Sequence, residues 1–249
     1  MSFDEAFARV ERSPWLRTRF GAALDPELPA VLEPFSFVPL DGLRELAAAL
    51  AIRQGETLVD LACGRGGPGL WLAQETGAAL IGVDGSAVAV AQAEARAHLF
   101  GVEGRSRFTV GDFAGTGLPD GCADGVVCVD SFQFAGDHVA AGREVLRLLR
   151  SGRRFVLTNW EPRQPGDAEL PDRFRDLDVA RALSAAGFVD VEVDERPTWE
   201  TGHRAAYEAA LAAGDPGDDE GLAMFQEEAR GGLDRSARLR RVLVIARRP

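Results

Sequence analysis

The sequence predicts an α/β fold built on a doubly wound, mostly parallel sheet, and three observations predict it. Short apolar runs alternate with helix-patterned segments from residue 57 onward, as expected of strands joined by covering helices. A glycine-rich turn, GRGGPG at 64–69, separates the first apolar run from the helix after it. Aspartates recur near the ends of the apolar runs, at Asp60, Asp84, Asp112 and Asp130.

Residues 1–40, with Trp15, Phe20, Phe35 and Phe37 among prolines and charges, lie outside this alternation and are expected to form an N-terminal helical lid. From Asp41, DGLRELAAALAI sets Leu43, Leu46 and Leu50 at helical spacing behind an aspartate cap, with Gly55 as its stop. TLVDLA (57–62) reads as the first strand, GLWLAQET (69–76) as a helix and AALIGVD (78–84) as the second strand. Ser86 is placed to cap AVAVAQAEARAHLF, which Gly101 ends. RFTVGD (107–112), DGVVCVD (124–130) and RRFVLTN (153–159) follow as strands, with AAGREVLRLLR (140–150) a helix between the last two. FVDVEVDE (188–195) and RLRRVLVIARR (238–248) then close the sheet as a pair with an antiparallel C-terminal strand, making seven. Between them WETGHRAAYEAALAA, GDPGDDEG and LAMFQEEA read as two helices around a polar turn. This 198–236 insertion is expected to be a substrate lid or an oligomer contact, leaving 41–197 and 237–249 as the core.

A chain of 249 residues, 46% hydrophobic, holds one catalytic-sized domain. Its net charge of -11 opposes nucleic acid as a partner. No apolar run is long enough for a membrane span, and MSFDEAFARVERS carries acids where a signal peptide is apolar, so a cytosolic monomer or homodimer is expected. Cys63, Cys122 and Cys128 lack a C-x-x-C arrangement and read as free thiols, and no metal-ligand cluster is visible. Arginine supplies all 28 basic side chains. The absence of lysine removes Schiff-base chemistry, pyridoxal-phosphate attachment and the Walker NTPases.

GRGGPG matches the G-x-G-x-x-G loop of dinucleotide enzymes, and Asp84 follows Gly64 at the offset of a ribose-binding acid, so an NAD(P)-dependent oxidoreductase is one reading. No Tyr-x-x-x-Lys pair accompanies it, since the only tyrosine is Tyr207. Carboxylates crowding one sheet edge oppose a pyrophosphate and attract a ligand that carries a cation.

VDLACGRGGPG, IGVDGS, VGDF and VVCVDSFQF, in this order, resemble class I S-adenosylmethionine-dependent methyltransferases of the bacterial small-molecule type, such as quinone-biosynthesis and natural-product-tailoring enzymes. The resemblance covers roughly 41–195 and the last strand; Ser151 and Arg153 depart from the usual Pro and Gly of a surface turn. It implies a Rossmann-like sheet, S-adenosylmethionine as cofactor and S-adenosylhomocysteine as product. By the same resemblance Gly64 and Gly66 let backbone approach the cofactor, with Asp60 and Ala62 near its methionine end. Asp84, followed by Gly85 and Ser86, meets the ribose; Asp112 and Phe113 meet the adenine; the backbone of Asp130 and Ser131 meets the ammonium.

Methyl transfer is an in-line displacement, so such an enzyme chiefly aligns an O, N or C nucleophile of a small metabolite and excludes water. Phe132, Gln133, Phe134 and Trp160 follow strands four and five and are expected in the substrate pocket. Similar enzymes often place a histidine after strand four, where this chain has Gln133 and Phe134. That substitution leaves open a third reading, a protein that binds the cofactor without transferring methyl. His98 lies on an alanine-rich helix and His138 at a helix start beside Asp137. His203, in the insertion, is the candidate general base, against the plainer reading of a solvated helix-start histidine.

Overall fold

The computed structural model describes all 249 residues. Seven strands form one sheet: β1 (Thr57–Leu61), β2 (Ala79–Asp84), β3 (Ser106–Val110), β4 (Ala123–Val129), β5 (Leu149–Pro162), β6 (Val189–Glu195) and β7 (Leu239–Arg247). Their order is β3-β2-β1-β4-β5-β7-β6. β1 to β5 are mutually parallel, and β7 runs antiparallel between β5 and β6. Strand order reverses between β1 and β4, and in such sheets ligands sit outside the carboxyl ends of the strands at that reversal.

The helices are α1 (Phe3–Arg12), α2 (Gly21–Leu24), α3 (Leu40–Leu50), α4 (Gly67–Thr76), α5 (Ala87–Arg96), α6 (His138–Leu148), α7 (Asp172–Arg175), α8 (Val179–Ala186), α9 (Pro197–Ala212) and α10 (Glu220–Arg235). Alternation along the strands sends side chains to two separate cores. Leu58, Leu80, Val127, Val156 and Leu243 pack on one face with α3, α4, α9 and α10. Val59, Ile81, Val126, Phe155 and Val242 pack on the other with α6 and α8. Leu58 and Val59 are both fully buried, and each such side chain contributes about 1.5–3 kcal/mol. Gly82 interrupts the apolar run of β2 because a Cβ there would overlap the Phe108 ring of β3.

Several boundaries differ from the sequence reading. The helix expected from Asp41 starts at Leu40 without a side-chain cap and ends in a left-handed Ala51, well before Gly55. β3 ends at Val110, so Asp112 lies past the strand, in a turn bridged to Gly115. α8 had no counterpart in the sequence reading, although Asp178 caps it and Gly187 ends it. Ser86 does cap α5, accepting from Ala89 N at 3.1 Å.

Candidate functional site

The carboxyl ends of β1, β2 and β4 converge on the glycine turn. Ala62, Gly64 and Gly66 have φ of 59, 52 and 79°, left-handed values that wheel the chain from β1 into α4; for Ala62 this conformation costs about 1–2 kcal/mol. Asp84 holds the turn from β2. Its Oδ2 accepts from Gly64 N and its Oδ1 from Ser86 N, both at 2.8 Å. Each oxygen keeps acceptor capacity for a further donor. Burial raises the Asp84 pKa, and those two backbone donors oppose the rise.

Asp60 points from β1 at the N-terminal turn of α4, where Gly69 N donates to it. A Cβ on Gly69 would overlap that carboxyl group. Burial, and then the neighbouring Asp84, push the Asp60 pKa up to about 8.

A cavity of about 360 Å³ opens at this edge, with Asp84, Gly85, Asp112, Phe113, Ser131 and Phe134 in its wall. Its volume suits a nucleoside-sized ligand. A second void of about 40 Å³ reaches Asp60, Cys63 and Gly64, and Phe7 and Ala62 border both. Phe7 comes from α1, which lies over the glycine turn. Ser86 Oγ donates to Asp4 Oδ1 at 2.5 Å, Gln92 Nε2 donates to the Phe7 carbonyl at 3.2 Å, and Arg65 of the turn itself pairs with Glu11 and Glu33.

On the far side of the reversal, Asp130 ends β4 with φ 55°. Its side chain turns away from the cavity. Oδ2 accepts from Phe37 N at 2.7 Å, Oδ1 accepts from Thr158 Oγ1 at 2.6 Å, and Arg241 Nη2 stands 2.5 Å from the same Oδ1. The Arg241 guanidinium lies against Trp160 at 4.9 Å and Trp199 at 5.8 Å. His203 lies within this aromatic cage, its ring centre 4.2 Å from Phe37, 4.3 Å from Tyr207 and 4.8 Å from Trp160.

The glycine turn with its carboxylate rim also matches at family level: residues 59–157 fit the model of the methyltransferase domain. That match spans β1 to β5, the strands that carry the turn and its rim. It is similar to methyltransferase phqN of Penicillium fellutanum, 28% identical over 178 residues that cover 63% of this chain and 55% of that protein. It is also similar to the sterol 24-C-methyltransferase erg6 of Aspergillus fumigatus, 27% identical over 130 residues, 52% of this chain and 34% of the relative. The chain thus spans about a third to just over half of these curated relatives. Among solved structures, the [4+2]-cyclase SpnF aligns over 83% of this chain and 79% of its own with a TM-score of 0.70 at 24% identity. That level of likeness shows the shared fold.

In this methyltransferase fold the residues singled out from sequence separate into distinct environments. Asp84, Gly85, Asp112, Phe113 and Ser131 share the larger cavity, Asp60 and Gly64 the smaller void, and Ala62 both. Gly66 faces away from these voids as the N-cap of α4, with Leu70 and Ala93 packed near it. Asp112 Oδ1 accepts from Ala114 N at 2.8 Å, and the rest of its exposed carboxylate is free.

The four expected pocket residues divide. Phe134 is exposed at the cavity wall. Phe132 is instead a core residue, fully buried against Phe113, Phe155 and His138, because the 3₁₀ turn at 132–134 points alternate rings in opposite directions. Gln133 is buried and donates back to the Asp130 carbonyl at 2.7 Å. Trp160 belongs to the cage around Arg241.

His203 is buried as well, in place of the solvated position the plainer reading gave it. Burial, and then Arg241, push its pKa down to about 3. Its ring is therefore neutral at physiological pH and a weak base. His98 is exposed, and His138 is partly buried at the start of α6. Sequence reasoning missed Arg241, Phe7 and Asp4. Asp4 carried a readable sign, a serine cap and an acidic first turn at Ser2–Glu5.

Proposed function

We propose that the protein binds S-adenosylmethionine on the Asp84 side of the strand-order reversal and transfers its methyl group to an O, N or C nucleophile of a small metabolite. The observation that carries this reading is the cavity of about 360 Å³, whose wall combines two carboxylates, Asp84 at the end of β2 and Asp112 in the turn after β3, with the Phe113 ring. Asp84 has acceptor capacity left for the two ribose hydroxyls, Asp112 for the adenine amino group, and Phe113 stands beside the base. The glycine turn passes backbone within reach of the methionine end, close to Asp60 and Ala62. The backbone of Asp130 and Ser131 faces the ammonium. When bound, the cofactor supplies an electrophilic methyl on a sulfonium centre.

The chain's own part is then alignment and exclusion of water. α1 and the 198–236 insertion serve as covers, and Phe134 and Trp160 as walls for the acceptor. His203, neutral and caged, fits as a wall and a hydrogen-bonding ring better than as a proton acceptor. A small-molecule acceptor, a cytosolic location and a monomer or homodimer belong to the same proposal. A second reading, cofactor bound but not consumed, is supported by Gln133 and Phe134 standing after β4 where similar enzymes often place a histidine.

Calorimetric titration with S-adenosylmethionine, S-adenosylhomocysteine and NADH tests the proposal. Binding of the first two without NADH is expected; tight NADH binding alone would overturn it. Incorporation of labelled methyl into an extract of small metabolites separates transfer from mere binding.

A further inference from the structure

We propose that Arg241 is the receptor for a carboxylate on the methyl acceptor, so that the enzyme selects acidic substrates. This rests on the methyltransferase reading above and adds the chemical class of the acceptor to it.

Three arginines of this chain are buried, Arg65, Arg96 and Arg241. Two are provided with acceptors in the way an interior guanidinium requires. Arg96 donates to the carbonyls of Arg65, Val31 and Leu32 at 2.7, 2.8 and 2.8 Å. Arg65 reaches Gln92 Oε1 at 3.0 Å and the carboxylates of Glu11 and Glu33. Arg241 differs. It is 0% exposed, the most buried of the three, yet Nε, Nη1 and Nη2 all lack a well-directed hydrogen bond.

Its one ionic partner, Asp130, already accepts from Phe37 N and Thr158 Oγ1. A guanidinium brings five N–H donors in a planar fork, and the fork matches a carboxylate bidentately. The remaining neighbours are the faces of Trp160 and Trp199, which favour a cation but accept little, and the neutral His203 ring, whose single acceptor nitrogen takes no hydrogen bond from the guanidinium. Donors therefore outnumber acceptors at one point in the interior, where an unmet donor is costly.

That point lies at the substrate end of the sheet. β5 and β7 pair with Trp160 opposite Arg241, so the two side chains share a face next to Asp130. The backbone of Asp130 is the part assigned to the cofactor's ammonium. A carboxylate held by Arg241 thus anchors the acceptor beside the cofactor's amino acid end. The walls over Arg241 are Phe37, Trp199 and His203, from the N-terminal segment and α9. Both lie outside the sheet, so admitting a ligand displaces covering elements and leaves the strands in register.

The test uses the full chain saturated with S-adenosylhomocysteine, with saturation verified for each variant. Phenylacetate, cyclohexanecarboxylate and octanoate are titrated against their primary amides while tryptophan emission is followed, since Trp160 and Trp199 flank the guanidinium. At least one acid is expected to bind at least tenfold more tightly than its amide. Arg241→Met should abolish that preference, and Arg241→Lys, which keeps the charge and loses the fork, should reduce it severalfold. The lysine variant decides the matter if the methionine variant fails to fold. Equal binding of acids and amides, no binding by any acid, or a preference that survives in the folded variants would overturn the proposal. Wild-type protein that binds S-adenosylhomocysteine but shows no acid preference removes only the role of Arg241. Failure to bind S-adenosylhomocysteine at all brings down the methyltransferase reading itself.

Discussion

At the carboxyl ends of β2 and β3 two carboxylates, Asp84 and Asp112, look into a cavity; on β5 and β7 charged side chains of the strands themselves are buried, Glu161 and Arg241. Asp84 and Asp112 belong to the first arrangement, each with acceptor capacity to spare. Arg241 and Glu161 belong to the second. Glu161, buried on β5, accepts from Val179 N at 2.9 Å and pairs with Arg240 at 2.7 Å. The contrast teaches where each half keeps its specificity. The first half gathers a backbone turn and carboxylates around one cavity. The second surrounds a buried arginine with aromatic rings from β5 and α9.

The largest effect is expected at the buried charge. Asp130→Ala leaves the Arg241 guanidinium without its counter-charge and should destabilise the protein by about 3–5 kcal/mol, read from urea unfolding midpoints. A loss below about 1 kcal/mol would mean that Arg241 finds other partners, and the two halves would not differ as described. On the rim the expected effect is on binding. Asp84→Asn should weaken S-adenosylmethionine by about 10- to 100-fold, the equivalent of about 1.5–3 kcal/mol for charge-assisted hydrogen bonds, with a smaller loss of Tm because an amide keeps only one of the two acceptors that hold the turn. Unchanged affinity would remove Asp84 from the site.

The smallest effect sharpens the comparison through pH. With a pKa of about 8, Asp60 is largely protonated at pH 7, and a cation placed beside it favours the ionised form. Cofactor affinity should therefore rise as pH goes from 6 to 8, by about tenfold or less, and level off above. In the ligand-free protein the sign is opposite. The folded chain retains a proton that the unfolded chain has released above the ordinary value of 3.8, so Asp60 lowers stability as pH climbs from about 4 to 8. Calorimetry and thermal melts of wild type and Asp60→Asn check both slopes; identical pH profiles in the two proteins would assign them to another group.

The rim was legible in the sequence because its parts are local. A glycine turn after an apolar run and aspartates at strand ends are contiguous signals, and backbone geometry converts them directly into a place. Other features depend on distant partners. The strand RLRRVLVIARR is apolar on both faces, so alternation gave no warning that Arg241 points inward; only its register with β5 shows that it faces Trp160. Phe132, Gln133 and Phe134 could not be sorted without the 3₁₀ turn that sends Phe132 into the core and Phe134 out. His203 looked solvated because Phe37 and Trp160, which help enclose it, lie in other segments of the chain.

α1 spans the glycine turn, its Phe7 ring 3.2 Å from where a Gly64 side chain would begin. A molecule seated on that turn lies under the helix. Three contacts hold the helix there, Ser86 to Asp4, Gln92 to the Phe7 carbonyl and Arg65 to Glu11. A ligand bound as proposed would leave at a rate that these three contacts influence, so that loosening them at Asp4 or Glu11 would shorten its stay without touching the turn itself.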